Sequence, residues 1–467
     1  MLGISRCPDP QLRRLRDSES GFALIEVMVS AVLLIVLALS TAAVFDRAQN
    51  TSSVNRSRGV AATLAQSDQE AIRQLPMTAL AAGYNPVPAT KMVGGIPYTV
   101  TSTAVWTQDA GGPVSCSSTG GRVEYLRTQT TVTWPAMGST KPVVADGIVS
   151  PGVAALGASK GALTVLLSKA DGSGTAGIPV TVEGITAVTD QNGCAVIGNL
   201  DAGNQTLSYG VPGYVDKDGS TGVSRVVTIG SGTIAQATGY YDRAGRIAVS
   251  ITDEGSPAAA ANWPQVTFDH TQRSTPTAFT MTPSGGAPQV TATVFPFASA
   301  YKAYVGSCPG NDPTLYQPGY TKASALVTPG NTTALTLPMR TVTVNVVDST
   351  GVASSFGGTG SVVLIPDLSN PNMTTPACGS SSRVLTSAGV ATLQVPFGTW
   401  KVCADAKVSG GNTPWGHTTT IVGGNTAVDD PLVVTPAGAT SPYAANLTTK
   451  LQLPSSGSTP SGPTACS

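Results

Sequence analysis

The run of apolar residues from Phe22 to Phe45 constrains the fold of this chain more than any other feature. It holds 24 positions, of which only Glu26 is charged. At about 1.5 Å per residue such a helix reaches about 36 Å, and a hydrocarbon core is about 30 Å thick. The run therefore predicts a membrane-spanning helix. Because a carboxylate in lipid costs about 2.5–3.5 kcal/mol on insertion scales, we expect Glu26 to need a partner.

The flanks of the run predict its orientation. Arg13, Arg14 and Arg16 precede it, and basic residues favour the inner side of a membrane. The run is longer than the apolar region of a secretory signal peptide, and no A-x-A cleavage site follows it, so simple removal is not expected. We therefore expect a single-pass protein of the inner or cell membrane with its C-terminus outside.

The residues at the start of the run, 21–26 (GFALIE), resemble the processing site of type IV prepilins and type II secretion pseudopilins. The resemblance implies that residues 1–21 are a leader, which a prepilin peptidase removes after Gly21 before Phe22 is N-methylated. It also implies the partner of Glu26, namely the new α-amino group of Phe22 in a neighbouring pilin subunit, and an extracellular pilus or cell-surface location after assembly. An ordinary membrane anchor with a stray Glu is the alternative.

The sequence after the membrane run predicts a helix laid on a small sheet. Apolar residues recur at helical spacing until Pro76, so the helix should continue to about residue 75. Residues 125–134 and 142–144 form a hairpin pattern that resembles the C-terminal hairpin of minor pilins and minor pseudopilins. The prediction is a pilin-like domain over 22–157, with a membrane helix over 22–45 and an antiparallel sheet over 96–151.

The remainder of the chain repeats itself. Related openings occur at Leu163, Ile247 and Val342, which are separated by 84 and 95 residues. Short apolar strands alternate with Gly- and Asn-rich turns, a pattern typical of antiparallel sandwiches. The predicted domains are β-sandwich modules over 158–243, 244–340 and 341–437, followed by a Pro/Ser-rich tail over 438–467.

The first module resembles carboxypeptidase-regulatory-like and Cna-B-like modules, which are prealbumin-type sandwiches. Residues 177–184 (GIPVTVEG) and 189–193 (TDQNG) carry the resemblance, together with Gly203. Asn192-Gly193 supplies the expected hairpin turn. The resemblance implies a spacer in a surface protein. The predicted fold class is thus α+β and then all-β: a long N-terminal transmembrane and amphipathic helix with a small pilin-type antiparallel sheet, followed by three antiparallel β-sandwich modules.

The cysteines indicate an oxidising compartment. One of the seven, Cys7, lies in the predicted leader, which leaves an even number. Cys378 and Cys403 fall within one predicted module and flank a predicted hairpin, so we expect them to form a disulfide. The sequence does not pair the remaining four, which are Cys116, Cys194, Cys308 and Cys466.

Composition and motifs argue against nucleic-acid binding and against catalysis. The chain has 26 basic and 26 acidic residues, so we expect no nucleic-acid partner. The two histidines, His270 and His417, lie in different modules, and no H-E-x-x-H or C-x-x-C motif occurs. We therefore expect no catalytic residues, no metal site and no cofactor.

Two functional hypotheses follow from these features. The first is a structural minor pilin-like subunit of a type IV pilus or type II secretion pseudopilus, whose modules form a tip stalk or adhesive head. Its partners would be other pilin subunits, bound through the helix from Phe22 to Glu26, a prepilin peptidase and the membrane. The alternative is a membrane-anchored surface adhesin or carbohydrate-binding protein that does not polymerise. For a surface carbohydrate or protein ligand, Trp263 and Trp415 are the candidates for stacking.

Overall fold

A computed structural model describes most of the chain. The chain divides into two compact units, Met1–Val105 with Tyr125–Ser150, and Trp106–Glu124 with Pro151–Ser467. The described residues are 22–109, 111–118, 121–135, 137–150, 159–253, 256–257, 264–274, 276–283, 287–348, 350–352, 360–368, 370–373, 378, 381–384, 386, 388–406, 416–418, 432–437 and 448–452.

The first unit contains a long helix and a four-stranded sheet. The helix ends three residues before Pro76, since a proline disfavours helical backbone in the residue before it. The sheet order is β1-β2-β3-β4, and the β1·β2 and β3·β4 pairs are antiparallel. The elements are α1 (Phe22–Arg73), α2 (Met77–Leu80), β1 (Ala89–Val93), β2 (Ile96–Gln108), β3 (Val123–Thr133) and β4 (Val143–Val149).

Only the C-terminal part of α1 packs on the sheet. Ala61 and Ala65 are buried against Tyr98, Val100 and Val132 in one apolar cluster. Small residues on α1 let the helix backbone approach the larger side chains of the sheet, and the helical spacing of the buried positions fits one face. The long N-terminal apolar helix expected from the sequence is confirmed.

The second unit begins with a sandwich of two four-stranded sheets, the first module. The sheet orders are β10-β12-β5-β8 and β11-β9-β6-β7. The strands are β5 (Lys160–Ser168), β6 (Pro179–Val182), β7 (Ile185–Val188), β8 (Cys194–Asp201), β9 (Gly203–Gly210), β10 (Tyr214–Asp216), β11 (Gly222–Ile229) and β12 (Ile234–Arg243).

The second module has the same two-layer construction. One sheet holds β14, β13, β17 and the first half of β20, and the other has the order β16-β15-β18-β19. Its core lies between these sheets. The strands are β13 (Gly245–Asp253), β14 (Ser256–Pro257), β15 (Val266–Asp269), β16 (Ala278–Met281), β17 (Gln289–Val294), β18 (Tyr301–Val305), β19 (Ala323–Ala325) and β20 (Thr332–Val347), with 3₁₀ turns at Pro309–Asn311 and Pro313–Leu315.

The third module shares β20 with the second. Residues 340–347 of β20 pair with β23 and β27, and the facing sheet contains β22, β21, β24, β25 and β26. Its core again lies between the sheets and includes Trp400. The strands are β21 (Ser361–Pro366), β22 (Ser381–Val384), β23 (Val390–Val395), β24 (Gly398–Ala406), β25 (Gly416–Thr418), β26 (Leu432–Val434) and β27 (Thr448–Gln452).

One strand arrangement occurs three times in the second unit. Each opening strand pairs in parallel with the closing strand of its module and antiparallel with a middle strand. These triplets are β12·β5·β8, β20·β13·β17 and β27·β20·β23. The sequence predicted antiparallel sandwiches throughout, and the parallel terminal pairs correct that prediction. Several strands intervene between opening and closing strands, so no hairpin forces them to run in opposite directions.

The modules follow one another without a linker. Only Ala244 separates β12 from β13. The second and third modules are joined inside β20, whose residues 332–339 pair with β13 and whose residues 340–345 pair with β23. The boundary that the sequence placed between residues 340 and 341 therefore falls within a continuous strand.

The β2–β3 connection belongs to the second unit, although the sequence placed it in the pilin-like domain over 22–157. Cys116 in this segment forms a disulfide with Cys194 of β8. Ile234 of β12 donates its N–H to the Gly121 carbonyl at 3.1 Å. The first module therefore holds the β2–β3 connection in place. Local sequence patterns do not indicate this attachment.

The predicted Cys378–Cys403 disulfide is wrong. Cys378 pairs with Cys308, and their Cα atoms are 4.8 Å apart. Cys403 is also disulfide-bonded, with a partner outside the described residues. The prediction failed because Cys378 lies on the connection after β21, which meets the 3₁₀ loop of the preceding module. Proximity in sequence did not correspond to proximity across the sandwich.

The expected hairpin turn at Asn192-Gly193 is present and is held by an aspartate. Gly193 has φ +76°, and its N–H donates to the Asp190 carbonyl at 2.9 Å. The Asp190 carboxylate accepts the N–H groups of Asn192 and Cys194 at 2.8 and 2.9 Å. The same pattern holds the turn after Asp348. A short acidic side chain thereby replaces the ladder hydrogen bonds that the turn cannot make.

Candidate functional site: the N-terminal helix and its seat

The N-terminal half of α1 presents apolar side chains that the first unit leaves uncovered. Every described side chain from Leu24 to Ser53 is exposed, and Phe45 retains 68% of its accessible surface. Leu24–Arg73 is long and apolar enough to cross a membrane. A continuous apolar surface of this size requires lipid or another protein to cover it.

Glu26 is the charged residue within this apolar surface. Its side chain is exposed, and among the described residues no hydrogen bond or ion pair engages its carboxylate. The Glu26 carbonyl, by contrast, accepts the Ser30 hydroxyl at 2.5 Å. Phe22 begins α1, and Gly21 lies outside the described residues. The structure therefore supplies the helix that carries Phe22 and Glu26 but does not test their predicted processing roles.

The hydroxyl groups in the apolar run are satisfied within the helix. Ser40 donates to the Leu37 carbonyl at 2.9 Å, and Thr41 donates to the same carbonyl at 2.9 Å. Hydroxyls that bond to carbonyls one turn earlier need no external partner. Unlike the Glu26 carboxylate, these groups therefore impose no demand on the surroundings of the helix.

A buried polar cluster fixes α1 on the sheet. Gln69 is only 5% exposed. Its Oε1 accepts the Thr128 hydroxyl at 2.6 Å, and its Nε2 donates to Thr130 Oγ1 at 3.0 Å and to the Ala145 carbonyl at 3.2 Å. Each bond can form only at one rotation of the helix about its axis and at one position along that axis. The cluster therefore sets the register of α1 on β3 and β4.

Asp68 extends this cluster to β2. Its Oδ2 accepts the hydroxyls of Ser102 at 2.5 Å and Thr130 at 2.7 Å. Space on β4 is provided by Gly147, where an added Cβ would lie 2.5 Å from Gln69 Oε1. Sequence patterns did not predict this cluster. The sequence feature that could have indicated it is a polar residue, Gln69, on the helix face where apolar residues recur at helical spacing.

The His270 side chain is buried and packs against aromatic residues. Its ring stacks on Phe297 at 3.9 Å between centroids, and its Nδ1 accepts the Gln272 N–H at 3.1 Å. A neutral ring that accepts at Nδ1 carries its proton on Nε2, which lies 3.0 Å from Ser299 Oγ. Burial lowers the pKa of His270, which favours this neutral form. Among the described residues, no cluster of His, Cys, Asp or Glu has the arrangement of a metal site.

The remaining sequence candidates are only partly described. Trp263 and Trp415 lie outside the described residues. His417 lies on β25, and its side chain is likewise outside them. Trp400 of the third module is 2% exposed and donates its Nε1 hydrogen to the Pro396 carbonyl at 3.3 Å.

Comparisons with known proteins give structural matches of low similarity. No protein-family model matches the chain, and no curated protein matches it. The Bacillus anthracis TIE protein is 10% identical with a TM-score of 0.18, and the match covers 80% of this chain and 74% of that one. BcpA, the major pilin subunit of Bacillus cereus, is 13% identical with a TM-score of 0.17, over 63% of this chain and 99% of that one.

A streptococcal ancillary pilin is 8% identical with a TM-score of 0.18, and the match covers 58% of this chain and 87% of that one. TM-scores of this size carry no inference about the fold or the function of this chain.

Proposed function

We propose that this chain is a minor pilin-like structural subunit of a type IV pilus or a type II secretion pseudopilus, without catalytic activity. The observation that carries the proposal is the division of α1 into two parts. Its C-terminal part is fixed on the sheet by Gln69, whereas the described side chains from Leu24 to Ser53 are exposed. Such a helix can anchor the chain in a membrane and later pack among the helices of neighbouring subunits.

Glu26 favours assembly over a solitary anchor. A carboxylate among apolar side chains is costly in lipid and becomes favourable beside a cation. Cleavage after Gly21 by a prepilin peptidase would create that cation, the α-amino group of Phe22, on each subunit. The ion pair would form between the Phe22 amine of one subunit and the Glu26 carboxylate of another.

The size of the second unit favours a rare subunit at a filament tip. The three modules and tail add some 300 residues to the pilin-like part. Repeated along a helical filament, this bulk would crowd neighbouring subunits, whereas a tip position leaves room for it. The modules would then serve as a stalk or adhesive head for a carbohydrate or protein ligand.

Processing gives the first test of this proposal. We expect the mature chain to begin at N-methyl-Phe22, and Gly21→Val to accumulate as a precursor that is 21 residues longer. A side chain at residue 21 should obstruct the peptidase, while the run from Phe22 to Phe45 still spans the membrane. Mass spectrometry of the N-terminal peptide measures both results. A mature N-terminus at any other residue would remove the pilin assignment.

Assembly gives the second test, through the charge of Glu26. Loss of a desolvated ion-pair partner costs about 3–5 kcal/mol, so we expect Glu26→Leu to lower incorporation into filaments by about a hundredfold or more. Quantitative immunoblots of sheared filaments and of membranes measure incorporation and anchoring separately. Membrane anchoring should persist, because the apolar run becomes more apolar.

Glu70→Leu is the matched control for that experiment. Glu70 lies on the same helix, and its exposed carboxylate contacts Arg73 at 2.9 Å. Surface pairs of this kind contribute little to stability, so incorporation should remain normal. Equal incorporation of the Glu26→Leu variant and the wild type would contradict the proposal and favour an adhesin that does not polymerise.

A further inference from the structure

We propose that the second unit bears tensile load, which the parallel terminal strands of each module carry in shear. The load would act between the N-terminal helix and the C-terminal module. Only the source of this tension, a surface filament or anchor, rests on the proposed function. The mechanical property belongs to the strand topology described above.

The direction of the terminal strands determines how their hydrogen bonds are loaded. The chain enters each module at the N-terminal end of the opening strand and leaves at the C-terminal end of the parallel closing strand. Tension between these ends slides one strand along the other, so all bonds of the pair resist together. The pairs β5·β12, β13·β20 and β20·β27 contain seven, eight and five register positions. A hairpin pulled at its open end would instead lose its bonds one at a time.

The junction between the first two modules leaves little slack to absorb tension. Ala244, the connecting residue, donates its N–H to the Gly213 carbonyl at 2.8 Å and accepts the Gly330 N–H at 3.0 Å. Asp218 of the first module accepts hydrogen bonds from Arg273 at 3.1 Å and from the Ser274 N–H at 2.9 Å. Displacement of one module is therefore transmitted directly to the next.

Within the described ranges, two covalent routes cross the junction between the second and third modules. One is the backbone of β20, and the other is the Cys308–Cys378 disulfide. Beside it, fully buried Asn311 donates its Nδ2 hydrogen to the Phe397 carbonyl at 2.7 Å, and the Gly310 N–H donates to the Asn372 carbonyl at 2.7 Å. The disulfide ties the loop after β18 to the third module, so the two modules cannot separate by stretching β20 alone.

Optical-tweezers measurements on the purified full chain in detergent test the proposal. The disulfides are first reduced, because the Cys116–Cys194 and Cys308–Cys378 loops enclose β5 and β20. Handles at the two chain ends then load the terminal pairs in shear. Handles at Asn204 and Thr228 instead load the open end of β9·β11, where these exposed residues lie opposite each other. We expect a several-fold higher unfolding force between the chain ends than between Asn204 and Thr228. Equal forces in the two directions would overturn the proposal.

Matched core variants separate mechanical from general stability. Val249 of β13 and Val305 of β18 are both 1% exposed and belong to one core, but only Val249 lies in a terminal pair. We expect Val249→Ala and Val305→Ala to lower the melting temperature by similar amounts. Only Val249→Ala should also lower the unfolding force of the second module. If both variants lower the unfolding force of the second module in proportion to their loss of melting temperature, shear loading of the terminal pair is contradicted.

Reduction of the disulfides tests the second covalent route. With the Cys308–Cys378 bond intact, the 70-residue loop is withheld from extension, and reduction should release about 230 Å of additional length. Reduction should also lower the force at which the second and third modules separate. An unchanged force would show that the disulfide lies off the load path. These measurements do not depend on filament assembly, so their failure is distinguishable from a failure of the Glu26 test.

Discussion

Replacing Cys308 and Cys378 together with serine should lower the free energy of unfolding of the third module by about 4 kcal/mol. The disulfide closes a loop of 70 residues, and the loop-entropy model assigns a cross-link of this length about that value. Hydrogen exchange of peptides from β23 measures the loss locally. Their protection in the double variant should fall by about three orders of magnitude if the third module opens as one unit.

The other described disulfide provides the matched control. Cys116→Ser with Cys194→Ser removes a bond between two segments of the second unit, which closes a loop of 78 residues. Exchange should then rise in the first module, in peptides from β8, and remain unchanged in β23. Unchanged protection of β23 in the Cys308–Cys378 double variant would show that packing alone holds the third module.

Replacing Trp106 with alanine should destabilise the first module by about 3–5 kcal/mol, the usual cost of deleting a fully buried Trp side chain. Trp106 is 1% exposed and lies directly against β8. At Gly198 of that strand, an added Cβ would fall 2.2 Å from the indole ring. The ring therefore occupies space that the absence of a side chain on β8 makes available.

Denaturant unfolding, followed by hydrogen exchange in β8 and β12, measures the effect of Trp106→Ala. Val105→Ala is the control, because its side chain is 47% exposed on the same strand. It should change stability by less than about 0.5 kcal/mol, as exposed positions usually do. Equal effects of the two substitutions would show that Trp106 does not support the first module.

The sequence predicted those elements whose determinants are local. The apolar run and Pro76 placed a helix over residues 22–75, and the structure has Phe22–Arg73. The repeated openings at Leu163, Ile247 and Val342 fall in β5, β13 and β20. Helical spacing, apolar runs and turn residues are properties of neighbouring positions, so a single sequence records them.

The sequence could not predict pairings between distant segments. Alternation along a strand shows which face is buried but not which strand lies alongside, so the parallel terminal pairs were missed. The partner of Cys378 was missed for the same reason. Gln69 bonds to Thr128, 59 residues away, and the hydroxyl of a threonine in a strand gives no local sign of that partner.

The shared strand β20 also limits how the number of modules can change during evolution. Duplication or deletion of a complete module by recombination needs a boundary at which both products keep whole strands. Ala244 offers such a boundary between β12 and β13. A break between Met339 and Arg340 would instead cut the continuous strand β20, although the paired residues of each module lie on their own side of the break. The second and third modules should therefore be gained or lost together, as one genetic unit.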